Sequence, residues 1–391
     1  MKEITSCRVC KSKKLSTFFD LGQHPPANSL LKSPYEKEAS YPLSLSFCQK
    51  CTLVQLNQTV DPRELFSHYV WVTGTSKTAR DFSNEFCRQV LKRVDAKKGD
   101  FVLEVGSNDG TFLRPFKSKR FEVLGVDPDK NVAKLANKEG IPTRALFFDQ
   151  KVARGILKEK GPAQIIIARN VLYHVADTRG FVRGMSLCLS EDGVLVVEVD
   201  YGANILKDLR YDSIYHEHLC YFTFKSLERL FSEFGLYIFD VGVSPINVRG
   251  LIVYARKRKG PESKKLQELK KRELGKKVNK FSSWKNFAKE AYKHKEKLLN
   301  MLKEAKKNGI IIGYGASARS STLLNFCEID GRTIEAIADD NPIKKGFYTA
   351  GSHILIDSPE KVMGMKPSFV FLLAWNFADD ITEKLKQKFD Y

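Results

Sequence analysis

Phe101-Val-Leu-Glu-Val-Gly-Ser-Asn-Asp-Gly110 is a short apolar run that stops at one glycine and turns through three polar residues to a second. A run of that length, bounded by turn residues, reads as a buried strand, and Thr111-Phe-Leu after it reads as the start of a helix. A second run, Glu122-Val-Leu-Gly-Val-Asp127, follows about 20 residues later and ends in an acid. Further along, the pattern predicts a helix over 131–139, an apolar stretch at 141–148, a second helix and a strand over 163–168. After another helix comes a strand over 193–199, and a polar helix from Phe82 leads into the whole series. Strand and helix alternate throughout, which predicts an α/β fold with a doubly wound parallel sheet.

Ligands of such sheets bind at the carboxyl ends of the strands. Gly106 and Gly110 let the backbone approach a ligand closely, and Asp127 is placed to accept hydrogen bonds from both hydroxyls of a ribose. The spacing Glu104-x-Gly106-x-x-x-Gly110 lacks the G-x-G-x-x-G pattern of dinucleotide sites. It resembles instead the nucleoside site of class I S-adenosylmethionine-dependent methyltransferases. A purely structural glycine turn is the alternative.

The chain has 391 residues, enough for two or three domains, each with its own core. Hydrophobic residues make up 42% and charged residues 28%, which excludes a disordered chain and a membrane protein. No apolar run approaches the roughly 18–20 residues of a membrane span. The opening MKEITSCRVC has no apolar signal region, so a cytoplasmic location is expected. The formal net charge is +19, but Arg256 to Lys307 alone holds 20 basic and 6 acidic residues. Leu266, Leu269, Val278, Phe281, Trp284 and Phe287 recur there at helical spacing. The segment therefore predicts an amphipathic helix, broken near Gly275, with a solvated lysine face. It reads as a charged connector; attraction to an anion or to nucleic acid is the other reading.

Cys7-Arg-Val-Cys10 and Cys48-Gln-Lys-Cys51 are two CxxC knuckles with 37 residues between them. Four thiolates at that spacing predict a tetrahedral zinc site, with no open position for catalysis, that staples the fold. Cys87, Cys188 and Cys327 read as small buried residues, and Cys220 lies beside the next motif.

That motif is Tyr215-His216-Glu217-His218, four polar titratable residues in a row. On an extended strand adjacent residues would face opposite ways, so not all four could share one pocket. Histidine titrates near neutral pH and can remove a proton from carbon if that proton is acidified. The run lacks the H-E-x-x-H spacing of zinc proteases; a surface loop is the alternative. His174 follows the 163–168 strand and belongs to the same rim.

Together these stretches resemble the sugar C-methyltransferases that methylate a ketosugar nucleotide at carbon. The resemblance runs nearly end to end. It includes the knuckles, Gln23-His-Pro-Pro-Ala-Asn-Ser29, Glu104 to Leu113, Tyr211 to His218, Ile312 to Ala318, Asp339-Asp-Asn-Pro342 and Leu372 to Phe377. It implies a zinc-binding region over 1–75, a methyltransferase domain over 76–259, and a connector with a second Rossmann-like domain over 260–391. It implies S-adenosylmethionine as cofactor, held by Glu104, Gly106, Asn108, Gly110, Asp127, Phe148 and Asn170. In the implied mechanism His218 removes the proton beside the ketone of a nucleotide-linked 4-keto deoxysugar, and the enolate attacks the sulfonium methyl. Glu217 supports or orients that base. Tyr215 and His174 line the reacting centre, and Tyr69 reaches into it from the N-terminal region.

Two alternatives stay open. One is a methyltransferase of the same fold acting on oxygen or nitrogen, which would need no carbon base. The other is a zinc-knuckle nucleic-acid-binding protein, which the distance between knuckles and lysine-rich segment disfavours. The C-terminal Gly313-x-Gly315-x-x-Ala318, followed 21 residues later by Asp339, does fit a dinucleotide fingerprint. It reads as a nicotinamide site or a structural turn, and the family resemblance implies a contribution to holding the sugar nucleotide. A monomer or weak dimer without membrane attachment is expected.

Overall fold

The computed structural model describes residues 1–65, 72–246, 250–389 and 391. Near the N-terminus, strands β1 (Leu15–His24), β2 (Tyr41–Cys48) and β3 (Val54–Leu56) form an antiparallel meander. The central strands are β4 (Phe101–Val105), β5 (Glu122–Asp127), β6 (Thr143–Ala145), β7 (Ala163–Arg169) and β8 (Leu189–Val199). Then come β9 (Cys220–Tyr221), β10 (Tyr237–Val243) and β11 (Leu251–Arg256).

A seven-stranded sheet in the order β10-β11-β8-β7-β4-β5-β6 occupies the middle of the molecule. From β8 to β6 the strands are parallel; β11 runs antiparallel to both of its neighbours. All five residues of β4 are buried, as expected for a parallel strand with helices on both faces. After β4 the chain builds outward through β5 and β6, then returns to place β7 on the other side. The carboxyl ends of β4 and β7 therefore flank the crevice where such sheets bind ligands.

Some local expectations shift. The helix expected at Thr111 begins at Arg114 and has only five residues, Arg114–Ser118. Of 141–148, only β6 pairs with the sheet. Strands β10 and β11 extend the sheet beyond 193–199, the last strand foreseen in this region.

The sheet of the N-terminal region is completed from elsewhere in the chain. β9 pairs antiparallel with β3, giving the order β9-β3-β2-β1. The two residues that follow Leu219 thus belong to the sheet that carries the second knuckle.

The basic segment forms helices Lys264–Gly275 and Phe281–Lys307, with the break where Gly275 predicted it. Its apolar stripe covers the N-terminal sheet: Phe287 meets Phe19 edge-on at 5.9 Å and Phe281 meets Phe47 at 5.6 Å. Glu273 is buried and accepts hydrogen bonds from Tyr201, the amides of Phe224 and Lys225, and Asn279. It thereby ties the connector to the methyltransferase core. The C-terminal unit is a parallel sheet of β12 (Ile311–Tyr314), β13 (Ile337–Ala338), β14 (Ile356–Asp357) and β15 (Phe369–Leu372), in the order β14-β13-β12-β15. The loop between the knuckles reaches this unit through paired backbone hydrogen bonds between Leu31 and Tyr348. Glu38 extends the contact by accepting from the Gly351 amide and pairing with His353.

Candidate functional site

The loop after β4 turns on Gly106 at φ +72° and Gly110 at φ +75°. A Cβ at Gly106 would lie 2.9 Å from Val171 Cβ, and one at Gly110 would strike Ile141, so both positions need glycine for conformation and for space. Asn108 between them also has positive φ, and its amide donates to Asp127 Oδ2 at 2.8 Å. Asp127 Oδ1 accepts from the Asp129 amide at 3.0 Å. The acid at the end of β5 therefore holds the glycine loop while lining the crevice. Burial pushes its carboxyl up to about 6, against the two amide hydrogen bonds. Glu104 is 2% exposed, and burial pushes it up to about 8 despite nearby Arg169. Its Oε2 has no hydrogen-bond partner among the described residues. Arg169 itself is paired with Glu198 at 2.7 Å below the crevice. Asn170, at positive φ, closes β7: its amide donates to the Glu198 carbonyl and its side chain to Glu198 Oε1.

The turn Thr73–Thr75 seats on this loop, its amides donating to Asn108 Oδ1 at 2.8 Å and Asp109 Oδ2 at 3.1 Å. Phe148 is placed differently from expectation. Its ring packs edge-on against Phe181 at 5.5 Å and abuts Gly184, so it is a core residue beneath the helix Thr178–Cys188. The apolar side chains open to the rim after β6 are Leu146 and Phe147, about half exposed.

On the acceptor side, the Tyr-His-Glu-His run is a turn rather than a strand, closed by the His218 amide donating to the Tyr215 carbonyl at 2.9 Å. That geometry overcomes the alternation an extended segment would impose. Tyr215 folds back onto His218, ring centroids 3.9 Å apart, while His216 points to the Pro42 carbonyl and the Tyr41 ring. His218 Nδ1 lies 2.9 Å from the Ser213 carbonyl. A carbonyl only accepts, so Nδ1 carries the proton and Nε2 the lone pair. Burial first, then His174, holds this imidazole well below its ordinary pKa, so it is neutral at pH 7. His174, on the turn Leu172–His174 just past β7, lies 5.0 Å from His218 ring to ring. Its Nδ1 donates to the Glu217 carbonyl at 2.7 Å, and burial lowers it to about 4.

Of the two roles expected of Glu217, to support or orient the base, orientation of the His218 ring falls to the Ser213 carbonyl. Glu217 Oε1 accepts instead from Asn28 Nδ2 at 2.6 Å, and burial pushes this carboxyl up to about 7. Asn28 lies in the Gln23–Ser29 stretch singled out in the sequence, but nothing in the sequence paired it with Glu217. Tyr69 lies outside the described residues.

The four knuckle cysteines converge, every sulfur within 4.8 Å of the others, with Cys7 and Cys51 3.4 Å apart and Cys10 and Cys48 3.6 Å apart. A tetrahedron with Zn–S bonds of about 2.3 Å has edges of about 3.8 Å, so the donor set fits zinc. Both knuckles close alike: Lys11 and Thr52 have positive φ and donate their amides to the Cys7 and Cys48 carbonyls. Cys87, Cys188, Cys220 and Cys327 are buried apart from this cluster. In the C-terminal unit, Asp339 Oδ2 accepts from the Ala316 amide at 2.8 Å and from Lys344. The glycine turn is thus tied internally by the same acid that the dinucleotide reading assigned to a ribose.

The sheet order, the glycine loop beside Asp127 and the rim at β7 define a class I S-adenosylmethionine-dependent methyltransferase with a four-cysteine zinc site. Residues 7–66 match a zinc binding domain model, residues 79–241 a methyltransferase domain model, and residues 248–390 a C-methyltransferase C-terminal domain model. The chain is 29% identical over 392 residues to C-methyltransferase NovU of Streptomyces niveus, covering 99% of this chain and 93% of that protein. These matches together support an S-adenosylmethionine-dependent C-methyltransferase. Among solved structures, an S-adenosylmethionine-dependent methyltransferase from Anabaena variabilis aligns over 50% of this chain and 91% of its own, at 19% identity and TM-score 0.39. A magnesium protoporphyrin IX methyltransferase from Synechocystis with bound SAH aligns over 46% and 84%, at 13% identity and TM-score 0.37. The strand Leu251–Arg256 lies in the central sheet although the C-terminal family model begins at 248.

Proposed function

We propose that the protein methylates the carbon beside the ketone of a nucleotide-linked 4-keto deoxysugar, with His218 as the base. One observation carries this reading: a neutral imidazole, its tautomer fixed by the Ser213 carbonyl, sits against Tyr215 and His174 at the rim of the cofactor crevice. Oxygen and nitrogen acceptors need no carbon base, whereas a carbon acceptor does. The ketone makes the adjacent proton removable only if the charge growing on its oxygen is stabilised, a role that suits the Tyr215 hydroxyl; His174, its one proton committed to the Glu217 carbonyl, lines the centre instead. His218 Nε2 takes the proton, and Tyr215 stacked on the ring limits its rotation. Asp127, the glycine loop and Asn170 hold the nucleoside of the cofactor, with Leu146 and Phe147 taking the apolar contact first assigned to Phe148. When bound, S-adenosylmethionine supplies the sulfonium methyl that the enolate accepts.

The test is hydrogen exchange in heavy water with a panel of thymidine, cytidine, uridine and guanosine diphosphate 4-keto-6-deoxyhexoses, with enzyme and without methyl donor. Exchange at the carbon next to the ketone is expected, falling roughly 10²–10⁴-fold in His218→Ala. If no panel member exchanges while S-adenosylmethionine still binds, the acceptor lies outside this class.

A further inference from the structure

The turn that precedes His218 is built on the methyltransferase core, but it is gripped from the C-terminal unit. Asp212 is buried and accepts from Arg319 Nη2 at 2.9 Å and from Trp375 Nε1 at 2.8 Å. The carbonyl of Ile214 accepts from Thr322 Oγ1, also at 2.8 Å. Arg319 and Thr322 are three residues apart on the helix Ala318–Phe326 and so project from one face. Ser213 lies between the two gripped residues, and its carbonyl is the acceptor for His218 Nδ1. Rotating the Ser213–Ile214 peptide would move the carbonyl away from His218, and to do so it would have to strain one or both flanking anchors. Both anchors are protected from water: Thr322 is 1% exposed and Asp212 5%.

We infer that the C-terminal unit is the positioning frame of the base: Arg319, Thr322 and Trp375 fix the Ser213 carbonyl, and through it the tautomer and orientation of the His218 ring. They are positioning residues, acting through the turn. The helix that follows the C-terminal glycine turn thereby has a task that needs no nucleotide on that turn. The inference builds on the reading of His218 as the base, and the two separate experimentally.

The measurement is ¹⁵N NMR of the zinc-loaded full chain labelled at histidine, which has only seven to resolve. The His218 signals are assigned by their loss in His218→Ala. Thr322→Val removes one donor with little change of shape, and Trp375→Phe removes the other while keeping an aromatic ring beside Arg319. Native His218 is expected in one tautomer, protonated at Nδ1, and either variant should show a mixture. Hydrogen exchange into the accepted ketosugar nucleotide should then fall roughly 10- to 100-fold in kcat with KM within about twofold, the pattern of a misplaced catalytic group. Thr322→Ser, which restores a hydroxyl, should recover both readouts. An unchanged tautomer in both variants, or a loss confined to KM, would overturn the inference. If His218→Ala still exchanges hydrogen while Thr322→Val alters the tautomer, the base assignment fails and the frame stands.

Discussion

A histidine accepts a proton only when neutral, and burial keeps His218 neutral well below its ordinary pKa. The acid limb of hydrogen exchange should therefore fall well below pH 6.5, leaving His218 active across the neutral range. Glu217, pushed up to about 7 by burial, titrates within that range. Below about 7 its carboxyl is protonated and accepts only weakly from the Asn28 amide; above 7 the carboxylate takes a stronger, charge-assisted hydrogen bond that ties the His218 turn to the loop between the knuckles. Exchange should thus rise roughly fivefold through pH 7, the effect of about 1 kcal/mol. In Glu217→Gln the rise should vanish while the acid limb remains. A rise that persists in that variant would assign the titration to another group.

At the scale of elements, the loop between β4 and the helix Arg114–Ser118 carries the cofactor side of the proposed site. Its shape depends on two glycines in the left-handed region and on Asp127 holding the Asn108 amide. In Gly106→Ala the new methyl would meet Val171 Cβ at 2.9 Å, and a non-glycine residue in that region costs about 1–2 kcal/mol before any clash. Calorimetry should show S-adenosylmethionine affinity reduced at least roughly tenfold. Pairing the change with Val171→Gly, which removes the crowding Cβ, should recover only part of it, because the backbone strain persists. Full recovery would mean that crowding alone matters. The basic helices follow their pattern at this scale: the apolar stripe of Trp284 and Phe287 is buried beside the N-terminal sheet, and only Glu273, inside the core contact, departs from the solvated polar face.

Across the whole molecule, the zinc region and the reaction site share one sheet. Arg8, between the two cysteines of the first knuckle, donates to the Leu56 and Gln58 carbonyls and to Thr59. β3 in turn pairs with β9, directly after the His218 turn, and the Leu56 amide donates to the Leu219 carbonyl. Stripping zinc with a chelator should therefore lower the melting temperature by roughly 10 °C and remove hydrogen exchange in parallel. S-adenosylmethionine affinity should change less, because β4, β5 and β7 belong to a different sheet. Zinc-free protein that still exchanges hydrogen at the native rate would show that the sheet holds His218 without its metal.

Much of this was legible in one dimension because the signals are local. Glycine placement, the acid ending β5, CxxC spacing and the apolar run of β4 each depend on a few consecutive residues, and backbone sterics and ligand geometry act at that range. The central sheet, the zinc cluster and the break near Gly275 follow from such signals. The closure of the site does not. That Glu217 bonds to Asn28, that β9 joins the N-terminal sheet and that Arg319 and Thr322 grip the turn before His218 are contacts across roughly 100 to 190 residues, and Phe148 meets its core partner Phe181 across 33. Such pairings have no period and no fixed spacing. They are selected by which polar groups come to lie buried together once three units pack, since a buried carboxylate, carbonyl or amide left unpaired is costly.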